Sequence, residues 1–268
     1  MPALSGQSHG GIVKVCLLAS GSKGNSLYVE SGESRILVDA GLSAREIVRR
    51  LAVIGVDAAE LDGLFVSHEH VDHVRGVGVL ARRYHLPVYV SYPTHRAIGE
   101  SLQGIPVTEF ESGYSFMFQD LLVDPFPITH DACDPVGFTF ECAEGKIGVA
   151  TDFGVATRLV ADKLKQCRVL VLESNHDEEM LINGPYPWHL KQRIKSRHGH
   201  LSNNDSAALL SDLLSSGLEG LFLAHLSEVN NDPAVARDVT RNLLTSQNVC
   251  SPRLIVGEQY QPSEIFNL

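Results

Sequence analysis

His68-Glu69-His70-Val71-Asp72-His73 sets four metal-type ligands within six residues. The stretch follows Ser67 and the apolar run Leu64-Phe65-Val66, which reads as a buried strand. Three imidazoles and a carboxylate just past a strand end compete for protons and leave polar atoms unpaired unless a cation joins them. His with Asp suits Zn²⁺ or a similar first-row ion. In an extended segment alternate residues face the same way, so His68 and His70 can address one ion. If the chain then turns into a helix, Asp72 and His73 address a neighbouring position. Two adjacent cations are therefore expected, the arrangement used for displacement at phosphorus or acyl carbon.

The rest of the 268-residue chain is compatible with a metal-dependent enzyme. Its length allows one large α/β domain or two small ones. With 44% hydrophobic and 20% charged residues it has the composition of a soluble globular protein. Apolar runs such as Val169-Leu170-Val171-Leu172 have strand length, far short of the roughly 18 residues of a membrane span. Residues 1–11 are small and polar and are read as a flexible segment with no secretory signal, so a cytoplasmic location is expected. Cys16, Cys133, Cys142, Cys167 and Cys250 are odd in number and form no Cys-x-x-Cys pair, which favours free thiols. A net charge of −10 argues against an extended nucleic-acid surface, although bound cations would offset part of it locally.

Short strand-like runs fill the first third: 13–18, 26–30, 35–39 and 64–66. A helix is expected from Ser43, with Glu46 at the capping-box position, to about Ile54. Another is expected from Val74 to about Tyr84, then a strand over 86–90. Residues 107–150 look β-rich. Beyond Asp152 the pattern becomes α/β, with strands at 168–172 and 221–224. Helices are expected at 186–197, at 203–215 with Ser202 as N-cap, and at 232–244 with Pro233 in the first turn. No repeat or low-complexity linker interrupts the chain, and a single two-sheet core flanked by helices is the economical reading.

Ser67-His68-Glu69-His70-Val71-Asp72-His73 resembles the signature of the metallo-β-lactamase superfamily. That resemblance implies an αββα four-layer sandwich over residues 1–268 as a single domain. It also implies a third His, a bridging Asp and a last His, in that order, each at a strand end. The chain offers His130 after Pro127-Ile128-Thr129, Asp152 after Val149-Ala150-Thr151, and His225 after Leu221-Phe222-Leu223-Ala224. On this resemblance His68, His70 and His130 hold one metal, and Asp72, His73 and His225 the second. Asp152 bridges them, and a hydroxide between the ions attacks phosphorus. Zn²⁺ is the first choice, with Mn²⁺ or Fe²⁺ as alternatives.

Two further segments resemble ribonuclease Z-like members. Gly199-His200-Leu201-Ser202 precedes a helix, and Glu173 follows the run Val171-Leu172. The resemblance implies that His200 protonates the leaving oxygen and that Glu173 orients it. Little sequence separates His130 from Asp152, which leaves no room for the tRNA-gripping arm of ribonuclease Z. The stretch from Asp152 to His225 is too short for the inserted domain of the β-CASP nucleases. Leu18-Ala19-Ser20-Gly21-Ser22-Lys23-Gly24-Asn25-Ser26 resembles the opening signature of the YycJ/WalJ family, as do Asp134–Phe138, Glu173–Asp177 and Pro185–Leu201. That family implies 5′-to-3′ exonuclease activity on double-stranded DNA and a role in DNA repair, with RNA left open as substrate.

The Ser/Gly loop is not a P-loop, because no Gly-Lys-Ser/Thr follows it. It reads either as a plain turn or as a backbone N–H cradle for a substrate phosphate near the metals, at Ser20, Ser22 and Asn25. Lys191, Arg193, Lys195 and Arg197 form the most basic stretch, read either as a solvated helix face or as a phosphate track. Tyr186 and Trp188 are candidates for stacking on a base or for core packing. His176 sits beside the site segments with no clear role. A small-molecule hydrolase of the same fold, acting on a cyclic phosphodiester or thioester, is the competing function.

Overall fold

The computed structural model describes residues 13–268, so the flexible segment expected over residues 1–11 falls outside it. The first sheet holds β1 (Lys14–Ala19), β2 (Ser26–Glu30), β3 (Arg35–Val38), β4 (Gly63–Phe65), β5 (Val88–Ser91) and β6 (Val107–Phe110) in that spatial order. The second holds β7 (Phe116–Phe118), β8 (Leu121–Pro127), β9 (Val136–Cys142), β10 (Gly145–Ala150), β11 (Val169–Glu173), β12 (Gly220–Ala224) and β13 (Arg253–Val256). The last strand, β14 (Phe266–Asn267), pairs antiparallel with β1 at the edge of the first sheet. Both sheets are mixed. Strands β3 to β6 run parallel, as do β10 to β13, and the remaining pairs are antiparallel.

Alternation along the strands builds the layers. Val15 and Leu17 of β1, Phe138 and Phe140 of β9, and Val169 and Val171 of β11 share one cluster between the sheets. Their neighbours Cys16 and Leu18 turn outward, and so do Leu170 and Leu172, into two separate outer clusters. Strands buried on both faces need continuous apolar sequence, which is why Val169–Leu172 has no polar residue.

One outer cluster lies under α1 (Ala44–Val53), α2 (Val71–Val74), α3 (Val77–Tyr84) and α4 (Tyr92–Ile98), through Ile47, Leu51, Val77 and Leu80. The other outer cluster lies under α5 (Arg158–Leu164), α8 (Asn203–Leu213) and α9 (Pro233–Thr245), through Leu164, Leu209, Leu210 and Leu213; α6 (Glu178–Asn183) and α7 (Trp188–Ile194) lie in the connection between β11 and α8. The layers are therefore αββα, as expected.

Several element boundaries differ from expectation. The helix after the metal motif starts at Val71, inside the motif, and breaks at Gly76. There the Gly76 N–H is donated to the Ala40 carbonyl at 2.7 Å, and an added Cβ would lie 2.4 Å from the Leu42 carbonyl oxygen. α7 is shorter than expected because Pro187 is its N-cap. The short elements α4, α5, α6, β13 and β14 were not anticipated. Ser43 accepts from the Glu46 N–H at 3.3 Å, but the Glu46 carboxylate binds Arg49 and Arg50 instead of closing a capping box. The reciprocal box forms at Ser202 and Asp205. All five cysteines are free.

Candidate metal centre

Parallel strands end on a common edge, and the candidate ligands follow those ends. Asp39 follows β3, His68 follows β4, Asp152 follows β10 and His225 follows β12. Ligand sites outside the carboxyl ends of strands are the general rule for such sheets. Asp39, Asp152 and His225 have φ of 61°, 61° and 56°. A left-handed backbone is strained for residues with side chains and here lies at the strand ends beside the cluster.

Four donor groups result, each with atoms within 4.8 Å of one another: His68, His70 and His130; Asp72, His73 and His225; His68, His73 and Asp152; and Asp152, Glu173, His200 and His225. His68, His73, Asp152 and His225 are buried, whereas His70 and Asp72 are half-buried. Asp152 groups with His68 of one triad and His73 of the other; its Oδ2 is 3.4 Å from His73 Nε2 and its Oδ1 3.3 Å from His225 Nδ1.

The donor set fits divalent cations on two counts. First, ring nitrogens face one another: His70 Nδ1 lies 3.1 Å from His68 Nε2 and 3.3 Å from His130 Nε2. Burial pushes the basicity of His68 and His130 down, and neighbouring imidazoles add to that, which keeps them neutral as ligands must be. Second, Asp152 Oδ2 and His225 Nε2 are buried without a hydrogen-bond partner. Burial opposes charge on His73 and His225, yet Asp152, with Asp39 and Glu173, outweighs it and raises them to about 10 and about 9. Protons on these two rings thus offset carboxylate charge that cations would otherwise neutralise.

A second ring of side chains holds the first. Asp39 accepts from the Ser67 N–H at 2.8 Å and the Ser67 hydroxyl at 2.7 Å, and lies 2.8 Å from His73 Nδ1. Such a carboxylate fixes the tautomer and orientation of a metal-binding imidazole. Asp39 was not singled out from the sequence; the available signal was an acid at the end of a strand, in Leu37-Val38-Asp39-Ala40-Gly41. At Gly41 an added Cβ would fall 1.6 Å from the Asp72 carbonyl oxygen, so this loop lies directly against the ligand motif.

Glu173 is fully buried and joins two imidazoles. Its Oε1 is 2.8 Å from His200 Nδ1 and 2.9 Å from His225 Nδ1, and its Oε2 accepts from the N–H groups of Phe153 and Leu201. Burial works to raise its pKa, but His200 and His225 prevail and hold it at about 2, so it is an anion. A tie to His225 as well as His200 was not foreseen.

The open space beside the donors is a cleft of about 290 Å³, lined by His70, Asp72, His200 and His225, among others. Of the residues expected at the substrate, Ser22 and Arg193 line it. Ser20 and Asn25 do not: both are buried behind the ligands. The Ser20 hydroxyl accepts from the His225 N–H at 2.6 Å, and Asn25 Nδ2 lies 3.1 Å from His73 Nε2. These two polar side chains fold inward as supports for His225 and His73. Lys191 is also committed elsewhere, donating to the carbonyls of Ile182 and Gly184 at 2.7 Å each. Lys195 and Arg197 are exposed and do not line the cleft. Tyr186 faces the cleft, whereas Trp188 is 66% exposed and lies outside the core. His176 is buried, belongs to none of the donor groups, and accepts the Asn203 N–H with its carbonyl at the start of α8.

Residues 34–219 match the family described as the β-lactamase superfamily domain. Exodeoxyribonuclease YycJ of Bacillus anthracis is 39% identical over 224 residues, covering 82% of this chain and 85% of its own. Exodeoxyribonuclease WalJ of Streptococcus pneumoniae is 37% identical over 241 residues, covering 88% and 90%. Among solved structures, the metallo-β-lactamase fold protein YhfI from Bacillus subtilis shares the fold with a TM-score of 0.72 at 16% identity, covering 96% of this chain and 100% of its own.

Proposed function

The chain belongs to the β-lactamase superfamily and, within it, to the YycJ/WalJ exodeoxyribonuclease family, and from that premise we propose that it is a dinuclear metal-dependent DNA exonuclease. On this reading it removes nucleotides from 5′ ends of double-stranded DNA and serves DNA repair in the cytoplasm. Residues 13–268 act as one catalytic unit. No helix among the described residues is long and apolar enough to cross a membrane.

His68, His70 and His130 would hold one cation, Asp72, His73 and His225 the other, with Asp152 shared. Zn²⁺ suits the mixed His and Asp donors best, with Mn²⁺ or Fe²⁺ as alternatives. When bound, two divalent cations lower the pKa of water toward neutrality and neutralise charge on a phosphodiester. The protein's own contribution is the proton. Glu173, an anion, accepts from His200 Nδ1; as an imidazolium His200 would then give its Nε2 proton to the leaving oxygen and be left neutral.

The observation that carries the reading is the Glu173 bridge between His225 and His200. It ties a proton donor to the ligand cluster, as cleavage of a poor leaving group requires. The test is nucleotide release from 5′-labelled duplex DNA with added Mn²⁺ or Zn²⁺. Wild type is expected to degrade the label and Asp72→Ala to be inactive; equal rates for the two would sink the assignment. The small cleft and the net charge of −10 favour one competing reading, a small-molecule phosphodiesterase or thioesterase. Efficient turnover of a cyclic phosphodiester with no action on any DNA would establish it.

A further inference from the structure

α7 is amphipathic in an unusual direction. It has no buried residue; Trp188 at its start is 66% exposed, but its other two apolar side chains, Leu190 and Ile194, face the cleft. Leu190 and Ile194, one turn apart, line the metal cleft together with Tyr186 just before the helix and Arg193 beside them. The wall is also tied to the proton donor. The His200 N–H is donated to the Ile194 carbonyl at 2.9 Å, and an added Cβ at Gly199 would lie 2.0 Å from that same oxygen. Whatever rests on this wall is held in fixed register with His200.

We propose that the Tyr186–Ile194 wall is a nucleobase site that takes the 5′-terminal nucleotide of a DNA strand after it has left the base stack. This rests on the exonuclease reading and adds how the substrate end is held. Three observations support it. The cleft of about 290 Å³ beside the donors is the size of a small-ligand pocket, a fit for one nucleobase. Five of the seven donors at its floor are buried and His70 and Asp72 are half-buried, so a phosphodiester reaches them by descending into the cleft, which opening of a paired end allows. A chain of net charge −10 gains little from long-range attraction to phosphates, so contact with the base has to supply affinity. An aromatic ring flanked by aliphatic side chains supplies it without regard to base identity. Arg193, 2.9 Å from Asp131 and exposed, stands beside the wall where a phosphate would replace the carboxylate.

The test pairs a change in the protein with a change in the substrate. Initial rates are measured on duplexes with an unpaired 5′ end whose terminal nucleotide is normal or abasic, with wild type, Tyr186→Ala and Tyr186→Phe. Removing the ring or the base alone should raise KM about tenfold, and removing both should add little more. Tyr186→Phe should stay within about twofold of wild type, because the stacking face remains. Wild type should also cleave the unpaired end faster than a fully paired one. If the abasic substrate leaves the wild-type KM unchanged, or the two losses simply multiply, the base site is wrong. The abasic comparison needs only wild type, so it stands even if a variant folds poorly. No cleavage of any DNA by wild type would instead sink the exonuclease reading itself.

Discussion

The floor and the wall of the cleft are built in opposite ways. On the floor, His73, Asp152, Glu173 and His225 are all at most 3% exposed, and Asp39, Ser67, Ser20 and Asn25 occupy the atoms behind them. The wall at α7 buries nothing and is held mainly through backbone carbonyls, by Lys191 on one side and His200 on the other. A donor set that binds cations must be prearranged to a fraction of an ångström, so each ligand needs its own support. A surface that receives any base needs only a flat apolar face and tolerates give. Changes to the floor should therefore alter chemistry and metal content, and changes to the wall should alter substrate affinity alone.

That contrast can be broken in several places. His200→Ala should lower kcat by about 10²–10⁴ while bound metal stays unchanged, measured by steady-state kinetics and elemental analysis on the same sample. A loss of metal in that variant would put His200 among the ligands. Asp39→Ala removes the carboxylate behind His73, and metal affinity should fall about 10–100-fold in a chelator competition. Unchanged affinity would mean that Ser67 alone positions the ring.

Arg50 tests the support at longer range. Its buried guanidinium donates to the carbonyls of Leu18 and Gln259 and pairs with Glu46. Arg50→Met should cost roughly 3 kcal/mol of stability in denaturant unfolding, since the acceptors lose a charged donor. Arg193→Ala should raise KM only a few-fold, in keeping with an exposed ion pair worth about 1 kcal/mol or less, and leave kcat alone. Trp188→Ser, at a 66% exposed position outside the cleft, should change stability by no more than about 0.5 kcal/mol.

The candidate ligands stood out in the sequence because each is marked locally. His68–His73 is one contiguous stretch, and His130, Asp152 and His225 each follow an apolar strand. Asp39 carries the same mark but stands alone in sequence. Only the parallel pairing of β3 with β4, through Val38↔Phe65, sets it against Ser67 and His73. The inward turn of the Ser20 and Asn25 side chains was hidden for a related reason: it depends on contacts with His225 and Asp72, far along the chain. The edge strands escaped notice because they are short and paired at long range, as where Lys14 meets Asn267. The helix boundary inside the motif moved because Val71 and Asp72 continue into α2 directly from His70, whose extended backbone caps it.

The exonuclease reading depends on the floor holding two cations. Elemental analysis of the purified protein, with Asp152→Ala beside it, tests that most directly. Two divalent ions per chain are expected in wild type, and the variant, which loses the shared carboxylate, should retain at most one. One ion in wild type, or two retained after Asp152→Ala, would contradict a shared two-cation site.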